Sequence, residues 1–185
     1  MNKFVTAAAA AALFAVPAAA NAQAYVQVET GLDSVSANGE AAQGVIYGAS
    51  AGYDLPLSGG MFVGVQGTVA DSSTKDCLND VLAVGDRACL KTGRDLAAVV
   101  RLGTAIGDRS KLYVFGGYTN ARIRLTYDDG ITSTSDGQNG DGVRVGAGYE
   151  YDLSNNLFVK AEYRYSNYES DVSRNQGVVA LGVKF

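Results

Sequence analysis

The sequence has no histidine and no tryptophan, and only 2 prolines and 2 cysteines. Without histidine the chain lacks the usual proton shuttle and the commonest metal ligand, which excludes reaction classes that depend on one. Basic residues are outnumbered: 15 Lys and Arg face 19 Asp and Glu, a net charge of −4 with no basic tract. The electrostatic footprint of a nucleic-acid binder is therefore missing. Beyond Gln23 no stretch approaches the roughly 18 consecutive apolar residues of a membrane-crossing helix. Gly-x-Ser-x-Gly, phosphate-loop and Cys-His patterns are absent too, so neither an enzyme nor a cofactor is expected.

What is present begins with Lys3, an apolar Ala-rich run from Phe4 through Val16, Pro17, and then Ala20-Asn21-Ala22. This predicts a signal peptide over 1–22, cleaved between Ala22 and Gln23. The remainder, 23–185, is the right length for one domain. Its 23 Gly and 11 Tyr suit tight turns and strands.

Export without an apolar helix leaves the periplasm, secretion or a membrane barrel, and residue parity is a test that the barrel must pass. A strand in a lipid-bounded barrel alternates apolar outward with polar or small inward. Val26, Val28 and Leu32 oppose Gln27, Glu29 and Asp33; Val45, Tyr47, Ala49, Ala51 and Tyr53 oppose Gly48, Ser50, Gly52 and Asp54. Val63, Val65 and Val69 oppose Gly64, Gln66 and Thr68, with Phe62 on the inner face. Leu96, Ala98, Val100, Leu102 and Ile106 oppose Asp95, Arg101 and Gly103. A fifth segment sets Tyr113, Phe115, Ile123 and Leu125 against Gly116, Asn120, Arg122 and Arg124. Three more set Val143, Val145, Ala147, Tyr149 and Tyr151 against Arg144, Gly146, Gly148 and Glu150; Leu157, Val159, Ala161, Tyr163 and Tyr165 against Lys160, Glu162 and Arg164; and Val179, Leu181, Val183 and Phe185 against Gly182 and Lys184. A lipid-facing Arg or Lys at the bilayer midplane costs ~2–4 kcal/mol, so this pattern penalises any one-residue slip.

A soluble antiparallel barrel or sandwich also alternates, and three further features favour the membrane. Short turn-rich connections (54–60, 107–110 and 152–156) alternate with longer polar ones (34–43, 71–93, 128–140 and 167–173), the pattern of outer-membrane barrels with periplasmic termini. Outward aromatics fall into bands: Tyr53, Tyr113, Phe115, Tyr149, Tyr151 and Phe185 toward the periplasmic edge, Tyr47, Tyr163 and Tyr165 toward the outer one. The chain ends on an alternating strand, Val179, Leu181, Val183 and Phe185.

That last strand resembles the C-terminal signature of Gram-negative outer-membrane proteins. With the signal peptide and pieces such as Val114-Phe115-Gly116-Gly117-Tyr118 and Val145-Gly146-Ala147-Gly148-Tyr149-Glu150-Tyr151, the whole chain is similar to the OmpA-like and opacity-type small surface barrels. The resemblance implies an all-β fold, a closed antiparallel eight-stranded up-and-down transmembrane barrel of the outer membrane. It also implies lipid around the wall and barrel-assembly machinery acting on the last strand during biogenesis. The chain ends at the barrel, so a peptidoglycan-binding module and a role in cell-wall tethering are not expected.

The inward parity collects Glu29, Arg101, Arg122, Arg124, Arg144, Glu150, Lys160, Glu162, Arg164 and Lys184. An eight-stranded interior is just wide enough to be filled by side chains, so a packed ion-pair plug is expected. The alternative is a narrow path for ions or small solutes, weakly anion-preferring because basic groups outnumber acidic ones in this set. Cys77 and Cys89 share the second long connection, and in an exported chain a bridge between them is expected, worth ~3 kcal/mol in the entropy model. Asp128, Asp129, Asp136 and Asp141 could offer oxygen ligands to a cation, but their spacing is not that of an EF-hand and no metal site is assigned. The expected function is a structural or surface-interaction role, with any ligand held by extracellular loops; the porin is the alternative.

Overall fold

The computed structural model describes residues 23–37, 40–79, 87–128, 133–169 and 172–185. Positions 1–22, with the expected signal segment and Ala22, lie outside the described residues. The strands are β1 (Gln23–Ala37), β2 (Glu40–Pro56), β3 (Met61–Ser72), β4 (Lys75–Asn79), β5 (Arg87–Ala105), β6 (Ser110–Asp128), β7 (Ser133–Asp152), β8 (Leu157–Tyr168) and β9 (Val172–Lys184). Their order is β3-β2-β1-β9-β8-β7-β6-β5-β4, and an antiparallel β3–β5 pairing closes eight of them into a barrel. β4 continues the line of β3 beyond Ser72, pairing with Arg87–Lys91 of β5 on the edge that β3 occupies further down. Closure satisfies the wall's backbone groups internally, as lipid demands.

Three tight connections, with Gly59, Gly60 and Gly107 at positive φ, join β2 to β3, β5 to β6 and β7 to β8 at one end of the barrel. Positive φ is open to glycine at no steric cost. Both ends of the described chain lie at this turn end: the Phe185 amide donates to the Ala24 carbonyl at 2.9 Å. The other end, the loop end, differs from the long-loop expectation. Much of 34–43, 71–93 and 128–140 is strand, and β5, β6 and β7 run 19, 19 and 20 residues. A tilted strand needs only ~9–11 residues to cross a bilayer, so the wall continues past the membrane. There both faces can be wet, and alternation is no longer required of the sequence.

Within the membrane band the alternation is regular. Val28, Leu32, Val69, Val100, Val143, Val145, Val179 and Leu181 are exposed on the outer wall, while Gln27, Glu29, Gln66, Arg101, Arg144 and Arg164 are buried in the bore. β6 is the exception to the expected parity. Leu112, Val114 and Tyr118 face outward, and Tyr113 and Phe115 are buried. The physical reason is a pairing of inward aromatics with glycine. Tyr25 lies opposite Gly52, Phe62 opposite Gly103, Tyr113 opposite Gly148, Phe115 opposite Gly146, Phe158 opposite Gly182 and Tyr168 opposite Gly142. A Cβ on each of these glycines would come within 2.3–2.8 Å of the ring it faces. The rings lie down over bare backbone, filling a bore too narrow for two side chains abreast. Arg122, expected inward from the sequence, lies at the loop-end limit of the apolar band, where outward charge carries little penalty.

Candidate functional site

The inner wall holds six buried acidic and six buried basic residues: Glu29, Asp33, Asp54, Asp95, Glu150 and Glu162 with Arg101, Arg144, Lys160, Arg164, Arg174 and Lys184. Charges this deep are tolerated only if paired and hydrogen-bonded. They are connected in three tiers along the bore.

At the turn end, Lys184 Nζ lies 2.9 Å from Glu150 Oε1 and also pairs with Asp152. Arg101 approaches Glu150 at 3.3 Å and Asp54 at 3.5 Å, and donates to the Tyr25 hydroxyl. Its guanidinium lies 4.1 Å from the Tyr113 ring centroid and 5.0 Å from that of Tyr25, close enough for cation–π attraction. Lys111, partly exposed, closes this tier beside Asp54 and Glu150.

In the middle tier Arg164 bridges two carboxylates, with 2.6 Å contacts to Glu29 Oε1 and Glu162 Oε2. Lys160 Nζ lies 3.8 Å from Glu150 and 3.8 Å from Glu162, linking the first tier to the second. Ser50 donates to Glu29 at 2.8 Å and the Tyr113 hydroxyl to Glu162 at 2.6 Å, occupying remaining lone pairs.

Toward the loop end Arg174 grips Asp33 in bidentate fashion, Nε to Oδ1 and NH2 to Oδ2 both at 2.7 Å, and reaches Asp95 at 3.1 Å. Arg144 contacts the same Asp95 at 2.7 Å. Ser72 and Thr74 hydroxyls also donate to Asp33.

Of the residues expected in the bore, Glu29, Arg101, Arg144, Glu150, Lys160, Glu162, Arg164 and Lys184 are there. Arg122 is not: it shares the outward parity of Tyr118 on β6 and is half-buried. The Arg124 side chain lies outside the described residues. Asp33, Asp54, Asp95 and Arg174 belong to the network but were not among the expected set. Their parity carries the signal, since Asp33 aligns with Glu29, Asp95 with Arg101 and Arg174 with Lys184; a last strand read as beginning at Val179 leaves Arg174 out. With these included, acidic and basic side chains are equal in number and the basis for an anion preference disappears.

Cys77 and Cys89 face each other in the β4–β5 register and are joined in a disulfide, Cα–Cα 4.1 Å. Of the Asp-rich third connection, Asp129 lies outside the described residues. Asp141 is on the outer face, accepting from the Tyr118 hydroxyl and, at 2.6 Å, from Asn120 Nδ2. Among the described residues no group of three or more His, Cys, Asp or Glu side chains could hold a metal ion.

A closed ring of eight antiparallel strands, apolar outside and polar within, defines a transmembrane β-barrel. The family model for the outer membrane protein beta-barrel domain matches residues 6–185, and the chain belongs to that family. It is thus an outer-membrane barrel with lipid around its wall. Among solved structures it is similar to Ail, the attachment invasion locus protein of Yersinia pestis, seen in complex with the heparin analogue sucrose octasulfate. That match has TM-score 0.63 at 15% identity and covers 89% of this chain and 99% of that one. It is also similar to Neisserial surface protein A, with TM-score 0.60 at 20% identity, covering 88% and 97% of the two chains. At these identities the likeness is one of fold. Among curated protein sequences, nothing matches.

Proposed function

We propose that this protein is a closed, non-catalytic outer-membrane barrel that carries its loop-end extension on the cell surface as a platform for interaction. The observation that carries this reading is the bore, where twelve buried charged side chains, equal in positive and negative count, pair in two networks: eight joined through Glu150 and Glu162, and four joined through Asp95 toward the loop end. An eight-stranded interior has little room for anything else. The asymmetry of the two ends, tight turns against long wet hairpins, supports periplasmic termini. Protease added to intact cells then cleaves the loop end and spares the turns. Ail, of the same fold and seen with a sulfated sugar ligand, supports the use of such a barrel as a surface receptor. Processing between Ala22 and Gln23 and delivery through Val179, Leu181, Val183 and Phe185 to the barrel-assembly machinery complete the reading.

A second reading, a narrow porin, is favoured by buried polar atoms with no hydrogen-bond partner among the described residues: Gln27 Oε1, Asp54 Oδ1, Arg101 Nε, Arg144 NH1 and Gln176 Oε1. They are spread along the bore and could mark a wetted thread through it. Planar-bilayer recording of the refolded barrel separates the two. The closed-barrel reading expects a flat trace, and discrete, reproducible current steps would replace it with the porin.

A further inference from the structure

On the outer wall between β5 and β6, at the loop-end limit of the apolar band, two arginines stand opposite one another. The β5–β6 register shifts between Thr92 and Asp95, so that Gly93 and Arg94 together face Arg122. Such a bulge re-aims side chains. Here it leaves Arg94 exposed, its guanidinium donating at 3.1 Å to Asn120 on the outward parity of β6. Arg122 shares that parity, and its Nε is buried without a partner among the described residues. Neither arginine has an acidic partner within ion-pair distance among the described residues. Asp141, the carboxylate nearest in register, is engaged by Tyr118 and Asn120. Like charges facing each other across two strands are destabilising unless an anion lies between them.

Directly toward the membrane from this pair, the wall has a hollow of about 350 Å³ lined by Leu96, Ala98, Tyr118 and Asn120. It opens outward, where the wall meets hydrocarbon. Positive charge above an apolar hollow, at the level where acyl chains end and head groups begin, complements a phosphate-bearing lipid better than a soluble anion. A soluble anion would leave the hollow unused.

We infer that this corner binds a phosphorylated glycolipid of the outer leaflet, with phosphate held by Arg94 and Arg122 and an acyl chain seated against Leu96, Ala98 and Tyr118. Guanidinium is suited to phosphate by its planar fork of donors. The placement in the outer leaflet rests on the orientation proposed above.

Native mass spectrometry of the barrel refolded in zwitterionic micelles tests the site, titrated with bisphosphorylated lipid A, its dephosphorylated form, and inorganic phosphate. Each basic side chain near an anionic lipid surface contributes roughly fivefold, so Arg94→Gln with Arg122→Gln should weaken lipid A binding about 25-fold. Arg109→Gln, which removes an exposed charge at the turn end, should leave it unchanged. The exposed Arg94→Gln alone should cost about fivefold should the double variant fail to show heat-modifiable migration. Equal binding of the dephosphorylated lipid, equal binding by the arginine variants, or inorganic phosphate held as tightly as lipid A would each overturn the site. Micelles expose both ends of the barrel, so this result is independent of orientation; protease cleavage on intact cells can fail while lipid binding stands.

Discussion

Arg164 is fully buried between Glu29 and Glu162 and donates to both. Removing it strands two carboxylates away from water, a loss on the order of 3–5 kcal/mol. Arg164→Met should lower the unfolding free energy of the refolded barrel by about that amount in urea titrations followed by gel mobility. Lys111→Met, a partly exposed partner of Asp54 and Glu150, should cost under about 1 kcal/mol. Similar losses for the two variants would mean that the bore is wet enough to screen its charges. Most of this network is legible in the sequence, because parity alone places Arg164, Glu162 and Lys160 opposite Ala161, Tyr163 and Tyr165. What parity cannot give is partner identity: the Arg174 bidentate pair with Asp33 spans 141 positions and depends on how the ring closes. Arg122 shows the converse, since parity is informative only where lipid enforces it.

β6 and β7 illustrate what an isolated strand conceals. Tyr113 and Phe115 are strong outward candidates by composition, yet each rests over a glycine of β7, and the glycines are visible as a cause only once the register is known. Gly148→Val places a side chain within 2.3 Å of where the Tyr113 ring lies. It should destabilise the barrel by about 1–3 kcal/mol through overpacking, with Tyr113→Ala in the same chain recovering part of the loss. Full stability of Gly148→Val alone would contradict the inward placement of Tyr113. The β4–β5 hairpin behaves as a separate element. Cys77→Ser with Cys89→Ser should speed amide exchange in β4 while leaving the urea midpoint of the barrel unchanged, because the bridge lies in the loop-end extension, beyond the β3–β5 pairing that closes the ring. A shifted midpoint would tie the hairpin to barrel stability.

At the scale of the whole molecule, one register performs three tasks. It turns valine, leucine and tyrosine to lipid, brings six carboxylates to six cations in the bore, and leaves strand ends standing above the membrane. A slip by one residue in any band strand would exchange the first two, putting guanidinium into hydrocarbon. The absence of tryptophan from the chain makes this directly measurable, because each tryptophan introduced is a single probe. Val100 is 54% exposed on the outer wall and Val99, its neighbour on β5, 7% exposed toward the bore. With the barrel folded into vesicles of acyl-brominated lipid, fluorescence of Val100→Trp should be strongly quenched and that of Val99→Trp nearly unaffected. Equal quenching at both positions, or the reverse order, would contradict the register on which the barrel, its charged bore and its lipid face all depend.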